Sequence, residues 1–204
     1  LLEKGKISPE TRSETMGALV AKADLDEACR GVDLVIEAVP ETMSLKIDVL
    51  GRAAAVAAPD ALLATNTSSL SITEIGVRVG APARTLGLHF FNPPPVMELL
   101  EIVRGVGTSD DTIDRALFLA RRLAKTPIVV KDVPGFATSR LGVAIGAEAI
   151  RMLESGVASV TDIDRAMELG YRHAMGPLKL TDLVGLDVRL AILEHLHREV
   201  GEQF

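Results

Sequence analysis

A histidine and a carboxylate on neighbouring apolar segments are the residues best suited to chemistry. His89 stands late in the run Leu88-His89-Phe90-Phe91-Asn92-Pro93, and Glu101 stands on the next apolar run. A histidine oriented by a carboxylate can take a proton at neutral pH. With Nδ1–H held by Glu101, Nε2 would be left as the base. Upstream, Thr65-Asn66-Thr67-Ser68-Ser69 closes another apolar run. A serine hydroxyl there could hydrogen-bond a substrate oxygen. Together these groups suit the proton-transfer site of an oxidoreductase on an open α/β sheet, where ligands bind beyond the carboxyl ends of the strands. The residues alone leave alternatives open. His89 could be a core histidine satisfied by a carbonyl, with Glu101 unrelated to it. Asn66, Thr67 and Ser68 equally fit turn chemistry leading to a helix cap. Ser139 and Arg140 fit either a face on the crevice or a solvated helix start.

The elements that must position these groups can be read along the chain. Ser8-Pro9-Glu10 predicts a capped helix to about Leu19. Val32 to Val39 reads as a parallel strand covered on both faces, and Leu45 to Ala57 as a helix. Ala61 to Thr65 is the next strand. Ser71-Ile72-Thr73-Glu74 is a capping box that starts a short helix. Strands follow at Leu86 to Phe91 and Met97 to Val103. A helix opens at Ser109, with Ile113, Ala116, Leu117, Ala120 and Leu123 on one face. Pro127 to Lys131 is the last strand. After Asp132-Val133-Pro134-Gly135 everything reads as helix: Phe136 to Glu154, Ser159 to Gly170, and one amphipathic pattern from Gly176-Pro177 through Leu196. Alternating strands and helices followed by helices alone place a domain boundary near Pro134. In the helical part, Leu141, Ile145, Ile150 and Leu153, with Ile163, Met167 and Leu169, exceed what so short a stretch needs for its own core. A homodimer interface is expected there.

Composition removes several classes of function. The net charge of -6 and the lack of any Lys/Arg run argue against nucleic acid as a partner. No apolar run approaches the ~20 residues of a membrane span. Cys29 is the one cysteine, so no intrachain disulfide can form, and a reducing, cytoplasmic setting is expected. No metal site is expected, since His195 and His197 lie too close together to share a helix face, and His89 and His173 complete no set. Gly105-Val106-Gly107-Thr108-Ser109-Asp110 imitates a dinucleotide fingerprint, but Asp110 stands at the third glycine position. A carboxylate there would repel a pyrophosphate.

Five blocks in this order carry a resemblance over nearly the whole chain: Val35-Ile36-Glu37-Ala38-Val39-Pro40-Glu41, Asn66-Thr67-Ser68-Ser69-Leu70, His89-Phe90-Phe91-Asn92-Pro93, Asp132-Val133-Pro134-Gly135-Phe136 and Met175-Gly176-Pro177. The chain resembles the L-3-hydroxyacyl-CoA dehydrogenases, including the 3-hydroxybutyryl-CoA dehydrogenases of fatty acid and butyrate metabolism. The resemblance implies an α/β fold: a partial Rossmann-type doubly wound sheet, residues 1–133, that binds NAD, then an all-helical dimerisation domain, residues 134–204. It implies reversible NAD-dependent oxidation of a 3-hydroxyacyl-CoA to the 3-ketoacyl-CoA. His89 takes the place of the general base, Glu101 that of its orienting partner, and Ser68 that of the residue holding the substrate oxygen. Ala38, Glu41, Lys46, Asn66, Ser68 and Asn92 fall where the family contacts NAD or lines its site. Ser139 stands where the family usually has an active-site asparagine; serine offers no amide, so that contact differs. The family's Gly-rich turn and first βαβ unit are not among these residues, and the family usually continues past the last helix. With Leu1 in place of methionine and a polar, helix-like opening, the chain is expected to be a piece of a longer protein that holds NAD poorly on its own. Relatives on the same architecture act on free hydroxy acids such as gulonate or carnitine. That substrate class and an inactive dimerising fragment are the alternatives.

Overall fold

A computed structural model describes residues 7–204; the polar opening expected to be helix-like lies outside them. The chain runs α1 (Pro9–Ala18), α2 (Leu25–Cys29), β1 (Leu34–Glu37), α3 (Met43–Val56), β2 (Leu62–Thr65), α4 (Ile72–Val79), β3 (Thr85–Phe90), β4 (Leu99–Arg104), α5 (Asp110–Arg122) and β5 (Thr126–Lys131). Helices alone follow: α6 (Thr138–Glu154), α7 (Val160–Arg165), a π-helical turn over Ala166–Gly170, α8 (Pro177–Val184) and α9 (Leu186–Val200).

The strands form one sheet in the order β1-β2-β3-β4-β5. β1, β2 and β3 are parallel, as are β4 and β5, but β3 and β4 are antiparallel. The cause is connection length. Residues 91–98 join β3 to β4, and a parallel crossover needs a dozen residues or more. β2 alternates between two cores. Leu63 packs with Val35, Leu50, Ala53 and Ile75 under α3 and α4, whereas Leu62 and Ala64 join Leu86, Leu88, Leu100, Ile102 and the apolar face of α5.

β1 is shorter than its sequence suggests and is not covered on both faces. Val35 and Glu37 are buried, but Ile36 is 41% exposed. β1 ends the sheet order, so among the described residues only β2 flanks it. α2 was not evident in the sequence; Asp24 caps it by accepting from the N–H of Glu27. The final pattern is two helices, because Gly185 takes φ +100° and breaks the rise between α8 and α9. Ile163 is not part of a surface stripe. It is buried with Ala149 and Leu178 in the core of the helical part. Leu141 and Leu169 remain well exposed, and Ile145, Ile150 and Leu153 partly so.

The capping box at Ser71 is half formed. Ser71 Oγ accepts from the N–H of Glu74, but the Glu74 side chain pairs with Arg78. Asp132, just past β5, supplies the rest: it accepts from the Ile72 and Thr73 N–H groups and the Ser71 hydroxyl. α4 is thereby fixed to the edge of the sheet where the helical part begins.

Gly87 on β3 lets the sheet and α4 close up. A Cβ at Gly87 would lie 2.7 Å from Val103 Cβ on β4 and 3.1 Å from Ile72 Cδ1 on α4. Both neighbours are buried, so neither can move away freely. Gly87→Ala should therefore cost about 1–3 kcal/mol through overpacking, read as a lower urea midpoint. An unchanged midpoint would mean that this contact is loose.

Candidate active site

His89 and Glu101 face each other across the β3–β4 pair. Residues directly opposite on antiparallel strands share a face and bring their Cβ atoms ~4.5–5.5 Å apart. The side chains close that gap: His89 Nδ1 lies 2.6 Å from Glu101 Oε2. The ring is 7% exposed and the carboxylate 0%. Phe91 lies tilted against the imidazole at 4.6 Å between centroids, and Phe136 meets it edge-on at 5.9 Å. Nδ1–H donates to Glu101, so Nε2 keeps its lone pair for a proton.

A buried carboxylate is costly unless its oxygens are hydrogen-bonded. Glu101 has donors on both. Oε1 accepts from the N–H groups of Ala137, at 3.2 Å, and Thr138, at 3.0 Å. Oε2 accepts from His89 and from the Thr138 hydroxyl, at 2.7 Å. These groups sit at the N-terminus of α6, where N–H groups lack helical partners and favour negative charge. Burial by itself pushes the Glu101 carboxyl up. The hydrogen bonds from the His89 and Thr138 side chains and the Thr138 N–H, with the attraction of His89, outweigh it and hold the carboxyl below its usual range. Glu101 therefore stays charged at neutral pH.

A second polar cluster lies past the ends of β1 and β2. Glu37, at the end of β1, is buried and receives Lys46 Nζ at 3.0 Å and the Thr65 hydroxyl at 2.7 Å. Lys46 also reaches the Val39 carbonyl, at 3.2 Å, and Glu41 Oε2, at 3.3 Å. Glu41 then accepts from the Thr67 hydroxyl and the Ser68 N–H. Asn66 connects the clusters. Its N–H donates to the Glu37 carbonyl, and its Oδ1 accepts from the Phe90 N–H at 2.9 Å, beside His89.

The structure joins the residues expected to do chemistry in two sets. His89 and Glu101 touch directly, while Glu41, Lys46 and Ser68 form one network that Asn66 links to β3. Ala38 and Asn92 lie exposed just past β1 and β3, at the same strand-end edge. Lys46 is 0% exposed and holds Glu37 and Glu41 from within the fold. Ser139 lies half-buried in the first turn of α6, but it is Thr138 that reaches Glu101. Thr65 and Thr67 belong to the polar cluster read from the sequence, whereas Glu37, Phe136 and Thr138 were given no role at the site. Glu37 carried a signal: an acid inside an apolar strand needs a buried partner.

Two family models match the chain. One is described as 3-hydroxyacyl-CoA dehydrogenase, NAD binding domain, over residues 1–133, and the other as 3-hydroxyacyl-CoA dehydrogenase, C-terminal domain, over residues 135–204. A 3-hydroxybutyryl-CoA dehydrogenase of Clostridioides difficile is 42% identical over 202 residues, 99% of this chain and 72% of that relative. The crystal structure of the (S)-3-hydroxybutyryl-CoA dehydrogenase of Ralstonia eutropha matches with a TM-score of 0.93 at 38% identity, over 98% of this chain and 70% of that one.

The Glu101 environment predicts a pH-dependent stability. Its carboxyl is held below the ordinary value of 4.5, so the unfolded chain takes up this proton first. The stability it contributes is present above that value and is lost as pH falls through the lower folded value. Glu101→Gln should melt below the parent at pH 7, with a difference that shrinks in acid. Thermal melts from neutral to acidic pH check this. A difference independent of pH would show that the fold does not favour the charged form.

Proposed function

This chain belongs to the 3-hydroxyacyl-CoA dehydrogenase family, and on that premise we propose that it oxidises a (3S)-3-hydroxyacyl-CoA reversibly to the 3-ketoacyl-CoA, with NAD as cofactor and His89 as general base. The observation that carries the reading is the His89–Glu101 pair, with the charge buried and the ring at a strand end. His89 Nε2 takes the proton from the 3-hydroxyl oxygen as the hydride leaves C3, the carbon that bears it, and the carbonyl forms. Bound NAD supplies the acceptor for that hydride. Glu101 stabilises the resulting imidazolium and fixes the tautomer. In the reverse direction the imidazolium returns the proton to the forming alkoxide. The Ser68 hydroxyl holds the substrate oxygen, and Ser139 stands by as a second hydroxyl.

The residues past the strand ends suit NAD. Glu41 and Asn92 are exposed polar side chains able to bond ribose hydroxyls and a carboxamide. Glu41 stays oriented by Lys46 and the Ser68 N–H while its side chain remains 41% exposed. Ala38 offers a small surface beside them, and Asn66 keeps this edge in register with His89. We divide the chain accordingly into an NAD-binding part, residues 1–133, and a helical part, residues 134–204. A four-carbon acyl chain is the first substrate to try, given the relatives described above. A free hydroxy acid is not favoured by them. A reducing, cytoplasmic setting suits the single buried thiol of Cys29.

The dyad can be tested by substitution in the intact enzyme, with acetoacetyl-CoA and NADH. His89→Gln should lower kcat about 10²–10⁴-fold, the usual contribution of a general acid–base. Glu101→Gln should lower it as well, and the double variant should be little worse than His89→Gln, because the two act as one unit. Fully additive losses, or near-normal rates for His89→Gln, would make the pair structural and place the base elsewhere.

The helical part is proposed to hold a second copy of the chain. Leu141 and Leu169 are 65% and 77% exposed, beside partly exposed Ile145, Ile150 and Leu153. A mostly apolar groove of about 250 Å³ shares Ile145 with these residues and is otherwise lined by Glu148, Ala149, Met152, Ile163, Ala166, Met167 and Pro177. Light scattering should report a dimer, and Leu141→Glu should weaken it. A monomer at micromolar concentration would contradict this.

A further inference from the structure

We propose that Thr138 is a positioning residue that tunes the proton affinity of the His89–Glu101 pair, by donating its hydroxyl to the carboxylate oxygen that His89 uses. The inference rests on His89 being the base. Oε2 of Glu101 receives His89 Nδ1 at 2.6 Å and Thr138 Oγ1 at 2.7 Å. Two donors on one oxygen divide its negative charge, so each bond is weaker than it would be alone. The carboxylate cannot turn to offer His89 its other oxygen, because Oε1 is held by the Ala137 and Thr138 N–H groups.

The Thr138 hydroxyl is not required to start the helix. Ala137 is the N-cap of α6, and no side chain caps that end. The two N–H groups already attach the helix to Glu101, so the hydroxyl adds a third bond whose effect falls on Oε2. Among the described residues, His89 is the charge that acts on Glu101 through space. Charged groups on the neighbouring elements are engaged elsewhere. Asp132 binds the start of α4, and Glu74 and Arg78 pair along α4. Arg104, farther along β4, pairs with Asp110, and Arg140 on α6 lies over the Phe204 ring. On β5, Ile128 is opposite Glu101, while Lys131 lies at the far end opposite Arg104. On β3, His89 is the one ionisable side chain.

Removing the hydroxyl leaves Oε2 to His89 alone. A stronger bond to the charged form favours that form, so the imidazolium persists to higher pH. The test is the pH dependence of kcat/KM in both directions for the parent, Thr138→Val, Thr138→Ala and Thr138→Ser. In Thr138→Val and Thr138→Ala, the acid limb of 3-hydroxybutyryl-CoA oxidation and the alkaline limb of acetoacetyl-CoA reduction should both move up by roughly 0.5–1 pH unit. Thr138→Ser should restore the parent profile. Lower rates with unmoved limbs, or limbs that move down, would overturn the proposal. His89→Gln, run in parallel, tells this failure from that of the underlying reading. If it keeps the parent's pH-dependent rate, His89 is not the base and the role of Thr138 falls with it.

Discussion

The fully buried carboxylate of Glu101 is the constraint on which the rest of this structure depends. A charge taken out of water costs several kcal/mol unless donors replace its hydration. Here they come from two parts of the chain: His89 on β3, and Ala137 and Thr138 where α6 begins. The requirement therefore fixes a distance within the sheet and, at the same time, the point where the first long helix of the helical part meets it. Phe136 fills the remaining space, packing with Ile72 and Val103 and meeting the His89 ring edge-on. The fold and the proposed chemistry share one polar contact, so loss of Glu101 would disturb both.

Much of this was legible in the sequence, because the signals were local. Proline and glycine punctuation located the strands, and Ser8, Ser71, Ser109 and Ser159 each mark a helix that the structure contains. The places of His89 and Glu101 on successive apolar runs made their pairing one of two readings, and the resemblance favoured it. What escaped needed knowledge of neighbours. The length of residues 91–98 already excluded a parallel crossover, yet the antiparallel turn shows only when the connection is measured against the strands it must join. Ile36 looks like a core residue until β1 is known to end the sheet order. Gly185 resembles a tolerated glycine inside a helical pattern, and only its φ of +100° reveals a break. Thr138 carries no signal at all, because its partner is 37 residues away in sequence.

Glu37 and Lys46 form the second buried anchor, and they differ from Glu101 in what they hold. Both side chains are fully buried, and an ion pair in such a place is poor evidence of added stability. Its effect is geometric. Lys46 spans Glu37, the Val39 carbonyl and Glu41, so the chain leaving β1 is fixed over the start of α3. Thr65 and the Asn66 N–H attach the end of β2 to the same residue, Glu37. The loops that follow β1 and β2 would otherwise be free to move; here their first residues are set from beneath.

In the proposed reaction the two anchors separate proton transfer from binding. Proton transfer needs a short, constant distance, which a pair of strands provides better than loops do. His89 and Glu101 accordingly lie on strands, almost wholly out of water. Binding groups must be reachable, and Glu41, Ser68 and Asn92 lie past strand ends with exposed or half-exposed side chains. Asn66 joins the two regimes through one bond to the Phe90 N–H. That bond ties the β2 loop to the residue next to His89. A displacement of the Ser68 loop is then carried to β3, and the hydroxyl that would hold a substrate oxygen stays in register with the imidazole that would take its proton.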